Sequence, residues 1–145
     1  MNPFRRALPW ILAAYIAFVF IQSLFFKFTS APESIYIFST IGGWLGLSWF
    51  EPVGRYVVGL GELLASILLF VPMLRPAGAA LAVCIMTGAI FFHLFSPLGV
   101  VVFNDGGLLF GMACGVWISG VLILIMDRVR ARALLQLAGI VQSRA

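Results

Sequence analysis

Polar and apolar positions in this chain alternate on the scale of whole helices. Long apolar runs are separated by short clusters that hold most of the charge. Four runs, 7–27, 52–73, 76–95 and 106–127, are each long enough to cross a hydrocarbon core as a helix, which takes roughly 20 apolar residues. Lipid offers backbone groups no outside partner, and the runs are too long for tilted barrel strands, so helices are the expected form. The pattern predicts an all-α, integral membrane four-helix bundle, a single transmembrane domain over residues 1–145 with a basic amphipathic tail at 128–145.

The breaks between the runs add detail. VPMLRPAG is a tight turn and makes the second and third spans an antiparallel hairpin. The first connection, Phe28 to Glu51, is longer and predicts a short interfacial helix in the first outer loop. Ser30 or Thr29 is placed to cap it, Pro32 falls in its first turn, and Glu33 sits at its positive end. Gly42-Gly43 is the expected stop, and Trp44 and Trp49 suit headgroup depth. This segment reads as a lid on the outer face or as a plain anchoring loop. In the fourth span Gly107, Gly111, Gly115 and Ser119 form a small-residue stripe, expected to pack within the molecule, with a homodimer interface as the alternative. The tail mixes arginines with Leu134, Leu135, Leu137, Ile140 and Val141; it is expected to continue the fourth span and lie along anionic lipid.

Composition fixes the solvent. Of 145 residues, 63% are hydrophobic and 10% charged, and the mean hydropathy is +1.13. A soluble domain is about half apolar and a quarter charged. The first run is longer than a signal h-region and no A-x-A site follows, so an uncleaved first span is expected. Arg5, Arg6, Arg75, Arg128, Arg130, Arg132 and Arg144 flank one side of the membrane. Lys27 and Arg55 lie on the other, diluted by Glu33, Glu51 and Asp105. The positive-inside rule then puts both termini in the cytoplasm. The net charge of +4 reflects this asymmetry and gives no case for nucleic acid.

With so few polar groups, each can be placed by depth. In GLGELLASILLFVPM, Glu62 lies about 15 Å below Pro52, where an unpaired carboxylate costs several kcal/mol. Arg55, Gly59, Glu62 and Ser66 share one helix face, and Gln22, Ser23 and Lys27 share another near the outer end of the first span. His93 lies about 25 Å along the third span from Pro76, level with Asp105 at the start of the fourth. The economical arrangement is an outward-facing polar pocket formed by Glu62, Lys27, His93, Asp105, Arg55 and Gln22, with Glu62 contacting Lys27, Gln22 or a bound polar molecule. Plainer roles exist: interface markers for Lys27 and Arg55, a helix cap for Asp105, a hydrogen-bonded structural residue for His93. A lone histidine argues against a haem or a histidine-based metal site. Cys84 and Cys114 form no C-x-x-C pair and read as small packing residues.

The stretches FIQSLFFKFTSAPESIYIFSTIG, EPVGRYVVGLGELLASILLFVP, GAIFFHL and NDGGLLF together resemble the DoxX-like family. The resemblance implies a small four-helix protein of the bacterial cytoplasmic (inner) membrane. The family takes its name from a subunit of an archaeal thiosulfate:quinone oxidoreductase, and other members are linked to redox or thiol-stress complexes. It implies recurrent polar positions at Lys27 and Glu62, with His93 and Asp105 matching a subgroup. Three readings stay open. One is the membrane subunit of a redox system, quinone- or thiol-linked, with no built-in cofactor, a bound quinone and a protein partner. Another is a small-solute carrier or channel using Glu62 as proton or cation site. The last is a non-catalytic anchor for a partner protein.

Overall fold

Proline and glycine punctuation divides the chain into helices, and the computed structural model describes residues 3–139. The order is α1 (Pro3–Phe28), α2 (Pro32–Leu45), α3 (Phe50–Phe70), α4 (Arg75–Phe95), α5 (Leu108–Met126) and α6 (Arg128–Leu137), with no strand among the described residues. α1, α3, α4 and α5 are long and apolar enough to cross a membrane. They neighbour one another in that order around a ring that closes with α5 against α1. The chain is a multi-pass, all-α membrane protein.

The ring packs on small and branched side chains: Ile16 and Phe20 of α1, Ala65 and Leu69 of α3, Ala79 and Ala82 of α4, Val116 and Ile123 of α5. Gly78 tightens the α3–α4 hairpin to backbone contact, since a Cβ there would stand 2.8 Å from the Leu69 nitrogen. Outside the ring the soluble pattern is inverted. Phe18 and Phe25 are each 66% exposed, whereas Glu62 and Arg75 are 2% exposed. Lipid accepts the former, and packing shields the latter.

A second apolar cluster holds α2 over one end of the ring. Ile41 of α2 meets Leu98 and Val102 of the α4–α5 loop, with Ile37, Phe50, Phe92 and Leu109 packed around them. Tyr36 meets Phe103 edge-on, with ring centroids 5.1 Å apart. α2 is therefore a docked lid.

Several boundaries depart from the sequence reading. Ala31, not Ser30 or Thr29, is the N-cap of α2, and no side chain caps it. Thr29 instead donates back to the Phe25 carbonyl at 2.7 Å. Ser30, at φ +56°, accepts from Arg55. Gly42-Gly43 does not end the helix, which runs on to Gly46 in the left-handed region at φ +71°. Gly42 serves contact instead: a Cβ there would lie 3.0 Å from both the Leu47 carbonyl and the Phe50 Cβ. α5 starts at Leu108, after Gly106 and Gly107 at φ +64° and +85°, outside helical space.

The stripe on α5 packs within the molecule only over its second half. Gly107 is the N-cap and Gly111 faces open space, while Gly115 lies against Tyr15. Neighbouring-helix backbone comes near at Gly120, next to buried Ser119, where Val83 and the Ala79 carbonyl of α4 crowd in. The tail does not simply continue the span: Asp127 leaves helical geometry (φ −96°, ψ 20°) and α6 begins anew. Ile140, Val141 and Arg144 lie outside the described residues, as does the side chain of Arg5.

Candidate functional site

The site begins at a glycine. A Cβ at Gly59 would meet Phe28 at 3.2 Å, Leu24 at 3.4 Å and the Lys27 stem at 3.5 Å. The bare backbone lets α1 lie close against α3, with Lys27 folded over the contact. One turn further along α3, Glu62 receives the Lys27 ammonium on both carboxylate oxygens, each at 3.0 Å. Ser23, four residues before Lys27 and on the same face, accepts from the Lys27 Nζ. Its hydroxyl also lies 3.4 Å from Glu62 Oε1 as a donor. Both charged groups are buried, and the pair meets the need for a partner that a mid-span carboxylate creates.

Arg55 does something else. Its Nε and Nη2 donate to Glu51, the Nη2–Oε1 contact being 2.8 Å. Its Nη1 donates to the Lys27 carbonyl and, at 3.1 Å, to Ser30 Oγ. The guanidinium thus caps the negative C-terminal end of α1 and ties it to the start of α3. Arg55 is not on the cavity wall described next, so its expected place in the polar pocket is corrected. The physical reason is local: Glu51 at i−4 offers a nearer carboxylate than Glu62.

Between the four spans and beneath α2 lies a cavity of about 630 Å³, within the range of small-molecule sites. Lys27, Glu62, Gln22, His93 and Asp105 all stand on its wall, together with Ser23 and Glu33. Most of the remaining lining is apolar, including Phe20, Phe38, Phe50, Phe92 and Met112. Gln22, Phe26 and Leu108 belong to the wall yet are exposed. They mark an exposed rim at the seam between α1 and α5.

His93 and Asp105 are each engaged by the α4–α5 loop. The Gly99 carbonyl can only accept, so the 2.7 Å contact places a proton on His93 Nδ1 and frees Nε2 of this duty. Asp105 Oδ2 accepts from the Leu109 amide, and Oδ1 accepts from Gly107 and Val102, all at 2.9 Å. Asp105 therefore caps α5 from two residues ahead of its N-cap. These amide bonds, Leu109 foremost, hold its carboxyl below the ordinary value of 3.8 against the opposing effect of burial.

A depressed folded-state value means the stabilisation is complete above about pH 4 and is lost as pH falls through the folded value. The wild type is expected to lose stability on acidification below that point, and Asp105→Asn to show a flatter profile. Asp105→Ala costs about 1 kcal/mol, as for loss of a helix cap. Unfolding midpoints measured from pH 3 to 7 decide; equal slopes in wild type and Asp105→Asn would refute the assignment.

Sequence reasoning missed three participants. Ser23, and not Gln22, is the side chain that bonds the Lys27–Glu62 pair, with the i−4 spacing to Lys27 as the available signal. Glu51 was legible as the i−4 partner of Arg55. Glu33 reaches the cavity only because α2 docks as it does. Cys84 is exposed as well as lining the cavity, which corrects its reading as a packing residue. Among the described residues no group of three or more His, Cys, Asp or Glu side chains could hold a metal ion.

A four-span bundle with a docked lid over a mainly apolar cavity, and a buried lysine–glutamate pair on its wall, defines a small polytopic membrane protein built around an internal site. The chain belongs to the DoxX-like family, whose model matches residues 11–115. That range includes Lys27, Glu62, His93 and Asp105. No curated protein and no solved structure matches the chain.

Proposed function

We propose that the chain is the membrane subunit of a redox system and that its cavity takes the head group of a lipid-soluble quinone. The observation that carries this reading is the lateral rim at Gln22, Phe26 and Leu108, leading into an apolar cavity with an ammonium group on its wall. A hydrophobic carrier enters from lipid, buries its ring against Phe20 and Phe38, and presents its carbonyl oxygens to the polar groups. Three protein acceptors occupy Lys27: both Glu62 oxygens and Ser23. Ser23 is the exchangeable one, because giving it up leaves the ion pair intact. His93 Nε2 supplies a second polar contact. A bound quinone supplies two-electron, two-proton chemistry; the residues hold it, orient it and exclude water beneath α2.

In this reading a protein partner delivers the electrons, and the chain lies in a bacterial cytoplasmic membrane with α2 outward. The arginines at the opposite end, Arg6, Arg75, Arg128 and Arg130, support that orientation. A carrier using Glu62 as a cation site is less well supported, since both carboxylate oxygens already accept from Lys27.

The test is purification in mild detergent with extraction and quantification of bound quinone. Near-stoichiometric quinone in the wild type, lost in a folded Lys27→Met/Glu62→Leu variant, is expected. Quinone absent from the wild type even after titration with a short-tailed analogue would reject the proposal.

A further inference from the structure

The opposite end of the bundle holds a second cavity, of about 1,110 Å³, that the proposed function does not use. Its wall carries Arg6, Arg75, Arg128 and Arg130, and among the described residues Asp127 is the only carboxylate with them. Phe4, Leu8, Trp10, Ile125 and Val129 supply an apolar border.

Arg75 is the unusual member. It is 2% exposed, with its guanidinium carbon 3.9 Å from the centre of the Trp10 ring. Nε donates to the Leu69 carbonyl at 3.1 Å. Nη1 reaches Asp127 only at 3.5 Å, and Nη2 is buried with no hydrogen-bond partner among the described residues. Asp127 does not neutralise this group alone, because its other oxygen accepts from Arg130 at 2.8 Å. One carboxylate is shared by two arginines, two more arginines line the same cavity, and a buried donor lacks an acceptor. A buried guanidinium nitrogen left unpaired is costly, and an oxyanion is the acceptor that would remove the cost.

We infer that this cavity is a phosphate-binding site, with Arg75 at its base and Arg6, Arg128 and Arg130 closing around the oxyanion. A planar guanidinium suits phosphate because its forked donors match two oxygens. The apolar border and the position at a bundle end fit the phosphate of a lipid headgroup, whose acyl chains would run along the exposed apolar faces of α1 and α5. Free phosphate shares the same chemistry. Such a ligand would pin α6 and α1 to the α3–α4 turn.

The experiment uses the full chain in neutral detergent, following thermal unfolding while phosphatidylglycerol, phosphatidylcholine or inorganic phosphate is added in separate arms. A saturable rise in midpoint with phosphatidylglycerol, and none with phosphatidylcholine, is expected and identifies an anionic lipid phosphate. A rise with inorganic phosphate alone supports the site with free phosphate as its source. Arg75→Lys, which keeps charge but loses the fork, is expected to abolish the rise. If that variant does not fold, Arg128→Gln/Arg130→Gln decides: these exposed side chains tolerate change, and the apparent affinity should fall roughly tenfold or more. Arg132→Gln, off the cavity wall, serves as control and should leave affinity unchanged. No midpoint shift in any arm, or an equal loss in the Arg132→Gln control, would overturn the inference.

Discussion

Lys27→Met is expected to destabilise the protein by about 3–5 kcal/mol, the cost of leaving a buried charge without its counter-ion. Glu62 is 2% exposed as a side chain, while Lys27 is 11% exposed near a helix end. The lysine can extend toward water if orphaned, whereas the carboxylate has only Ser23 left. Glu62→Gln should therefore cost less than Lys27→Met. The double variant Lys27→Met/Glu62→Leu should recover most of the loss, because matched apolar side chains often replace a buried pair without penalty. Unfolding in mixed micelles, run as a double-mutant cycle, measures the coupling. Additive single costs would mean that the two groups do not hold each other, and the site would have to be rebuilt without the pair.

The second large effect is expected at Arg55. Arg55→Met removes donors from the Lys27 carbonyl, Ser30 and Glu51 at once, at a cost of about 2–3 kcal/mol. Glu51, 17% exposed as a side chain, can turn to water, so Glu51→Gln should cost only about 1 kcal/mol. Arg55→Lys should not rescue, since an ammonium cannot span a carboxylate and a helix C-terminus together. Loss of this clamp also frees the α1–α2 connection. A cysteine at Ser48 should then react faster with a bulky thiol reagent than in the parent. Unchanged stability and unchanged labelling would show that Arg55 merely marks the interface.

The pairing of Lys27 with Glu62 was legible in the sequence because the cost of a charge in lipid leaves few solutions. Glu62 needs a partner, and Lys27 is the basic side chain at the right depth on the preceding span. For the choice of Ser23 over Gln22 the sequence offered only the i−4 spacing of Ser23 from Lys27. Both lie on the same broad face of α1, and the rotation of α1 about its axis selects between them. That rotation is set by contact at Gly59, where Phe28, Leu24 and Lys27 converge. Asp105 could be read as a cap or as a site residue. The three amides that converge on it depend on loop residues at positive φ, among them Asn104 and Gly106, whose arrangement has no periodic signature.

The end of α2 has a similar lesson. Gly42-Gly43 looks like a stop, yet Gly42 is needed where the Leu47 carbonyl and Phe50 press against the helix. A glycine chosen for contact and one chosen for its backbone angle read alike until the neighbour is known.

By itself, the sequence determined the four apolar spans, the all-α bundle and the abnormal polar positions. Each follows from free energies of transfer between water and lipid, which depend on residue type and run length alone. The tertiary structure decided which partner each polar group takes, that Arg55 clamps α1 while Glu62 faces a cavity, and that an unpaired Arg75 nitrogen lies at the other end. In lipid most surfaces are apolar on every side, so pattern alone does not fix helix rotation. Small-residue contacts at Gly59, Gly78 and Gly120 do, and they exist only once the helices meet.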